Sequence, residues 1–188
     1  MVDGAGAPAP AARTALAASL LAGALVAVAL GAYAGVHDPA GRPLTTLGFS
    51  GMLQMKAWLA TAAVVLLVVQ LLTALWMWGR LPVRGPVPAW AAPLHRTSGA
   101  VAFALTVPVG LHCLWALGLG AAQPRVVVHS AAGCLFYGAY AAKMLGLRLP
   151  GLPSWGLPVL GGAVLATLAV AWATSALWFF SRSGLPLF

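Results

Sequence analysis

The sequence predicts an all-α, polytopic membrane protein whose five transmembrane helices form an up-and-down bundle. Of its 188 residues, 62% are hydrophobic and only 6% charged, and the mean hydropathy is +0.95. A water-soluble core of this size could not bury so much apolar surface. The apolar residues gather in five long runs, at about 14–35, 56–79, 96–119, 126–146 and 156–180, each able to cross a hydrocarbon layer of about 30 Å as a helix. The runs are continuous and lack the two-residue alternation of barrel strands, so each must satisfy its own backbone hydrogen bonds in lipid as a helix.

Residues 1–12, MVDGAGAPAPAA, are rich in Gly, Ala and Pro without apolar period and are expected to form a flexible tail. The transmembrane domain then spans 13–182, with a short C-terminal tail at 183–188. In the first run, Arg13, an apolar stretch and Ala32-Tyr33-Ala34 imitate a cleavable signal peptide. The apolar part is longer than a usual signal core, which favours a retained anchor. Prolines punctuate the connections: Pro43 in the first, Pro82, Pro86, Pro88 and Pro93 in the second, Pro124 in the third, Pro150 and Pro153 in the fourth. Pro108 falls inside the third run and is expected to kink it one turn before His112, whereas Pro158 stands near the start of the fifth, where proline is tolerated.

Ten Lys/Arg against two acidic residues, Asp3 and Asp38, give a formal charge of +8. The cations are too scattered for a nucleic-acid footprint and are placed to meet headgroups and set topology. One side carries Arg13, Arg80, Arg84, Arg96, Lys143 and Arg148, the other Arg42, Lys56, Arg125 and Arg182. That excess favours a multi-pass protein of the plasma membrane with a cytoplasmic N-terminus. Lys56 and Lys143 lie near helix ends and can snorkel. Cys113 and Cys134 read as small buried hydrophobes.

Histidine placement is the chemical signal. His37 sits beside Asp38 in a polar loop and reads as a solvated residue. His112 and His129 are nearly equidistant from the turn GLGAAQP, so on antiparallel helices they share a depth, about 5 to 12 Å below the surface, and can face each other. Facing neutral imidazoles are the axial ligands of a six-coordinate b-type haem. The neighbours suit that use: Gly133 one turn deeper would clear a flat macrocycle, Arg125 one turn toward the surface would pair with a propionate, and Trp115 and Phe136 would wall the pocket. The bland alternatives are another metal, a proton relay, or interhelical hydrogen bonding without a cofactor. His95 opens a second His-x-x-x-Gly motif, but a second haem at its level would lack a histidine partner, with Met77, Met144 and Lys143 the only other side chains of ligand type there. The better reading of His95 is an interfacial cap beside Arg96.

Other chemistries lack their equipment. Both carboxylates lie outside the predicted helices, which removes carboxylate-based ion coupling. Neither Gly-x-Gly-x-x-Gly, a phosphate loop nor Cys-x-x-Cys-His occurs, so nucleotide, flavin and covalent haem have no support.

The segments GFSGMLQMKAWLAT (48–61), HRTSGAVAFALTVPVGLHCLWALG (95–118), RVVVHSAAGCLFYGAYAAKM (125–144) and WATSALWFF (172–180) resemble a family of uncharacterised integral membrane proteins, a domain of unknown function met mostly in high-GC Gram-positive bacteria. More distantly, the His-Arg-x-x-Gly at 95–99 and the His-x-x-x-Gly at 129–133 look like the haem helices of ferric-reductase-like and ascorbate-reducible b-type cytochromes. That resemblance implies ligand character at His112 and His129 and, less directly, at His95; those bundles carry two haems on four histidines, and the lack of a fourth intramembrane histidine here leaves the expectation at one haem b per chain. The resulting expectation is a cytochrome-like protein that relays electrons near the outer face, with a quinol or membrane redox protein as partner. The alternatives are an accessory or assembly subunit of a larger membrane complex and a small permease.

Overall fold

A computed structural model of the chain describes residues 10–83, 85–120 and 123–185. Most of the expected N-terminal tail, Arg84 and the last three residues lie outside these. All regular structure among the described residues is helical. α1 runs Pro10–Val36, α2 Met52–Met77, and α3 Ala91–Leu111, prolonged by a π-helical turn at His112–Leu117. α4 covers Pro124–Gly146; α5 begins as Gly156–Trp172, widens into a π turn at Ala173–Leu177 and closes with Trp178–Ser183. Each helix matches one apolar run, but α1 starts within the stretch read as tail and α3 starts at Ala91, because alanine and proline are well placed in a first helical turn.

Four of the five helices are long and apolar enough to cross a membrane: Ala12–Val36, Met52–Met77, Ala91–Leu117 and Gly156–Ser183. α4 has the length, 23 residues, but Arg125, His129 and Lys143 reduce its hydropathy. Arg125 and His129 find carbonyl partners at Thr174 and Ala171, and α4 packs between α1 and α5. α5 also packs on α2, and α2 on α3. α2 to α5 thus form the bundle and α1 lies along the outside of α4.

Helix contacts in lipid depend on close fit and hydrogen bonds, since apolar burial gains little there. Gly23 and Gly138 supply the fit between α1 and α4: a Cβ on Gly23 would stand 2.6 Å from the Gly138 carbonyl oxygen, and one on Gly138 would stand 2.5 Å from that of Gly23. Ala63, Leu67, Phe136, Val164 and Leu168 of α2, α4 and α5 form the buried centre. α2 is tied to α3 near the second loop, where Thr73 Oγ1 accepts from His95 Nδ1–H at 2.9 Å and Gln70 Nε2 donates to Ser98 Oγ at 2.8 Å and to the His95 carbonyl. α3 and α4 meet mainly through side chains. Phe103 stacks on Tyr140 with ring centroids 3.9 Å apart, and Tyr137 OH donates to the Thr106 carbonyl at 2.6 Å. Toward the α3–α4 turn the two helices leave a space between them.

Candidate functional site

The α3–α4 turn and the first loop share one end of the bundle, and His112 joins them. Its Nδ1–H donates to the Pro108 carbonyl at 2.7 Å, and its Nε2 accepts the backbone N–H groups of Leu44 at 3.2 Å and Thr45 at 3.3 Å. Carbonyls only accept and amides only donate, so these partners fix the tautomer. The ring is 1% exposed. Further contacts seat the loop on the end of α3, where helical carbonyls lack partners: Ala40 N–H donates to the Trp115 carbonyl at 3.1 Å and Gly41 N–H to that of Ala116 at 3.0 Å. His37, read as solvated, belongs to the same clamp. It stacks on Tyr33 at 4.9 Å and donates from Nε2 to the Trp115 carbonyl at 3.2 Å. Gly118 turns the chain at φ +64°, where a Cβ would also strike Pro39.

Beneath this clamp is a cavity of about 340 Å³ bounded by all five helices. Leu30, Val109, Leu117 and Phe136 give it a mainly hydrocarbon wall, and Leu117 and Leu119, both 44% exposed, stand at its rim. Lys56, Cys113 and His129 supply its principal polar groups. Cys113 Sγ lies 3.8 Å from His129 Nε2, and Lys56 of α2 lines the cavity with them. His129 is held from behind: its Nδ1–H donates to the Ala171 carbonyl at 3.0 Å, with Thr174 Oγ1 at 3.5 Å. Ala171 stands two residues before the widened part of α5, and Cys113 lies in the π turn of α3. Such turns re-aim side chains and carbonyls that a continuous α-helix would direct elsewhere.

Gly133 lines the cavity with open space where a Cβ would be, and Phe136 forms part of its wall. His112 and Arg125 do not line it. Arg125 donates to the Thr174 carbonyl and stacks on Trp178, with Cζ 3.8 Å from the ring centroid. Trp115 is overlain by Arg42 at 6.0 Å rather than facing the cavity. His95 belongs to the distant α2–α3 network and binds Thr73 instead of capping its own helix. Cys113 and Lys56 are the residues sequence reasoning missed.

The family model for DUF6529, described as a family of unknown function, matches residues 16–187. The chain belongs to this family. No curated protein and no solved structure matches the chain. The expected haem is therefore judged on the chain's own residues. A bis-histidine haem does not fit this arrangement: both ring nitrogens of His112 are engaged by the protein, and His129 alone faces the cavity. Among the described residues, no group of three or more His, Cys, Asp or Glu side chains could hold a metal ion.

Proposed function

We propose that this DUF6529 protein binds one amphipathic lipid-phase molecule, a single acyl chain with an acidic or carbonyl head, in the cavity at the α3–α4 end. The supporting observation is Lys56, a cation in a mainly hydrocarbon cavity of about 340 Å³, where the helices of the described residues contain no carboxylate side chain. Pockets that take small ligands begin at about this size and combine apolar walls with a few polar groups. An ionisable side chain within a membrane helix is costly unless it has a partner or a task. A carboxylate or carbonyl oxygen would supply that partner, with the chain lying along Leu30, Val109 and Leu117.

The test is equilibrium binding of radiolabelled oleate to the purified protein in nanodiscs. Saturable binding at one site is expected. Lys56→Met should weaken it about tenfold to hundredfold, the worth of a charge-assisted hydrogen bond. Gly133→Phe fills open space and should abolish it while leaving the melting temperature near that of wild type. Binding that never saturates, or that ignores both substitutions, would refute the reading.

A further inference from the structure

Beyond holding a ligand, the cavity brings together the parts of a nucleophilic site. A thiol attacks as its thiolate, so it needs a base to take the proton, a group to orient that base, and positive charge where the carbonyl oxygen becomes an oxyanion. Cys113 Sγ and His129 Nε2 are 3.8 Å apart. The bond from His129 Nδ1–H to the Ala171 carbonyl, 3.0 Å long, leaves the Nε2 lone pair directed at the thiol. Lys56 of α2 lines the same cavity and is the one Lys or Arg to do so among the described residues. The mainly hydrocarbon wall accommodates a long chain and excludes the water that would otherwise compete for an acyl group.

We propose that Cys113 is an acyl-accepting nucleophile, taking a long-chain acyl group from a lipid-phase acyl thioester. The proposal rests on the cavity being a site for acyl-chain ligands. Cys113 Sγ forms a bond to the carbonyl carbon, with the oxyanion facing the Lys56 ammonium, and the donor's carbon–sulfur bond breaks as the carbonyl re-forms. The Cys113 proton passes to His129 Nε2 and then to the departing thiolate. The products are S-acylated Cys113 and one free thiol; thioester replaces thioester, with no oxidation or reduction. Cys134 is an internal control. It lines the same cavity, yet His129 pairs with Cys113 instead.

The experiment exposes the full-length protein in nanodiscs to an alkyne-tagged palmitoyl N-acetylcysteamine thioester and follows each cysteine by peptide mass spectrometry and by release with neutral hydroxylamine. Wild-type protein should gain a hydroxylamine-labile acyl group on Cys113 well before Cys134, a comparison that needs no variant. His129→Ala should slow labelling roughly 100-fold at neutral pH, the low end of general-base contributions. It should recover toward wild type at alkaline pH, where the thiol ionises unaided, a response that loss of packing alone would not give. Equal labelling of the two cysteines, or a His129→Ala rate equal to wild type at neutral pH, would overturn the proposal. Oleate binding measured on the same samples separates the two readings. Binding without acylation would leave the cavity as a ligand site and remove the nucleophile, whereas loss of both in wild-type protein would remove the two together.

Discussion

His112 Nε2 accepts the backbone N–H of Leu44 at 3.2 Å, a contact between a side chain of α3 and a loop sixty-eight residues earlier in sequence. It makes His112 a cap for the first loop. His112→Ala would remove the acceptor of two amides and leave a void where a buried ring had stood. Each donor left without a partner costs about 1–3 kcal/mol when water cannot reach it. The expected result is a lower melting temperature and faster hydrogen exchange at Leu44 and Thr45, with His112→Gln recovering part of the loss through its side-chain carbonyl. Unchanged exchange at both amides would contradict the capping role.

The same contacts bear on colour. With both His112 nitrogens engaged, protein expressed with ample haem should purify without the sharp reduced α band of a bis-histidine cytochrome. Air-oxidised and dithionite-reduced spectra with a pyridine haemochrome assay decide it. An α band lost in both His112→Ala and His129→Ala would restore the bis-histidine haem.

Five helices and their approximate ends were legible because continuous apolar runs leave lipid-embedded backbone one practical conformation. That the end of α3 and the start of α4 meet at the level of residues 112–113 and His129 was legible too, since rise per residue is nearly constant. Azimuth was not. One residue turns a helix by about 100°, so depth alone cannot distinguish His112 from Cys113, and it is Cys113 that faces His129. The π turn at His112–Leu117 alters that azimuth again, and Pro108 was the local sign of irregularity there. His37 and Arg125 were misread because their partners, the Trp115 carbonyl and the Trp178 ring, are supplied by elements remote in sequence.

The α1–α4 contact gives a steric prediction. A Cβ at Gly138 would meet backbone, the Gly23 carbonyl oxygen at 2.5 Å, and backbone cannot rotate aside. Gly138→Val should therefore separate the two helices at a cost of about 1–3 kcal/mol. Limited proteolysis in detergent should show earlier cleavage around the first loop. Gly161→Ala on α5, with nothing within 4 Å of its would-be Cβ, is the matched control and should melt like wild type.

At the other end, Thr73 and His95 form a pair whose coupling can be measured. Thr73 Oγ1 donates to the Val69 carbonyl at 2.7 Å and accepts from His95 Nδ1–H at 2.9 Å, so the hydroxyl relays between α2 and α3. Thr73→Val preserves shape and removes the acceptor; His95→Phe keeps a ring and removes the donor. Interhelical hydrogen bonds of this kind average about 0.6 kcal/mol in double-mutant cycles and reach about 1.7. Burial of Thr73, 4% exposed, favours the upper part of that range. Reversible unfolding of the two single variants and the double variant should give a favourable coupling above about 0.6 kcal/mol, while oleate binding at the opposite end stays unchanged. Additive losses would mean that the two groups stabilise their helices separately, and lost oleate binding would mean that the α2–α3 seam transmits to the cavity.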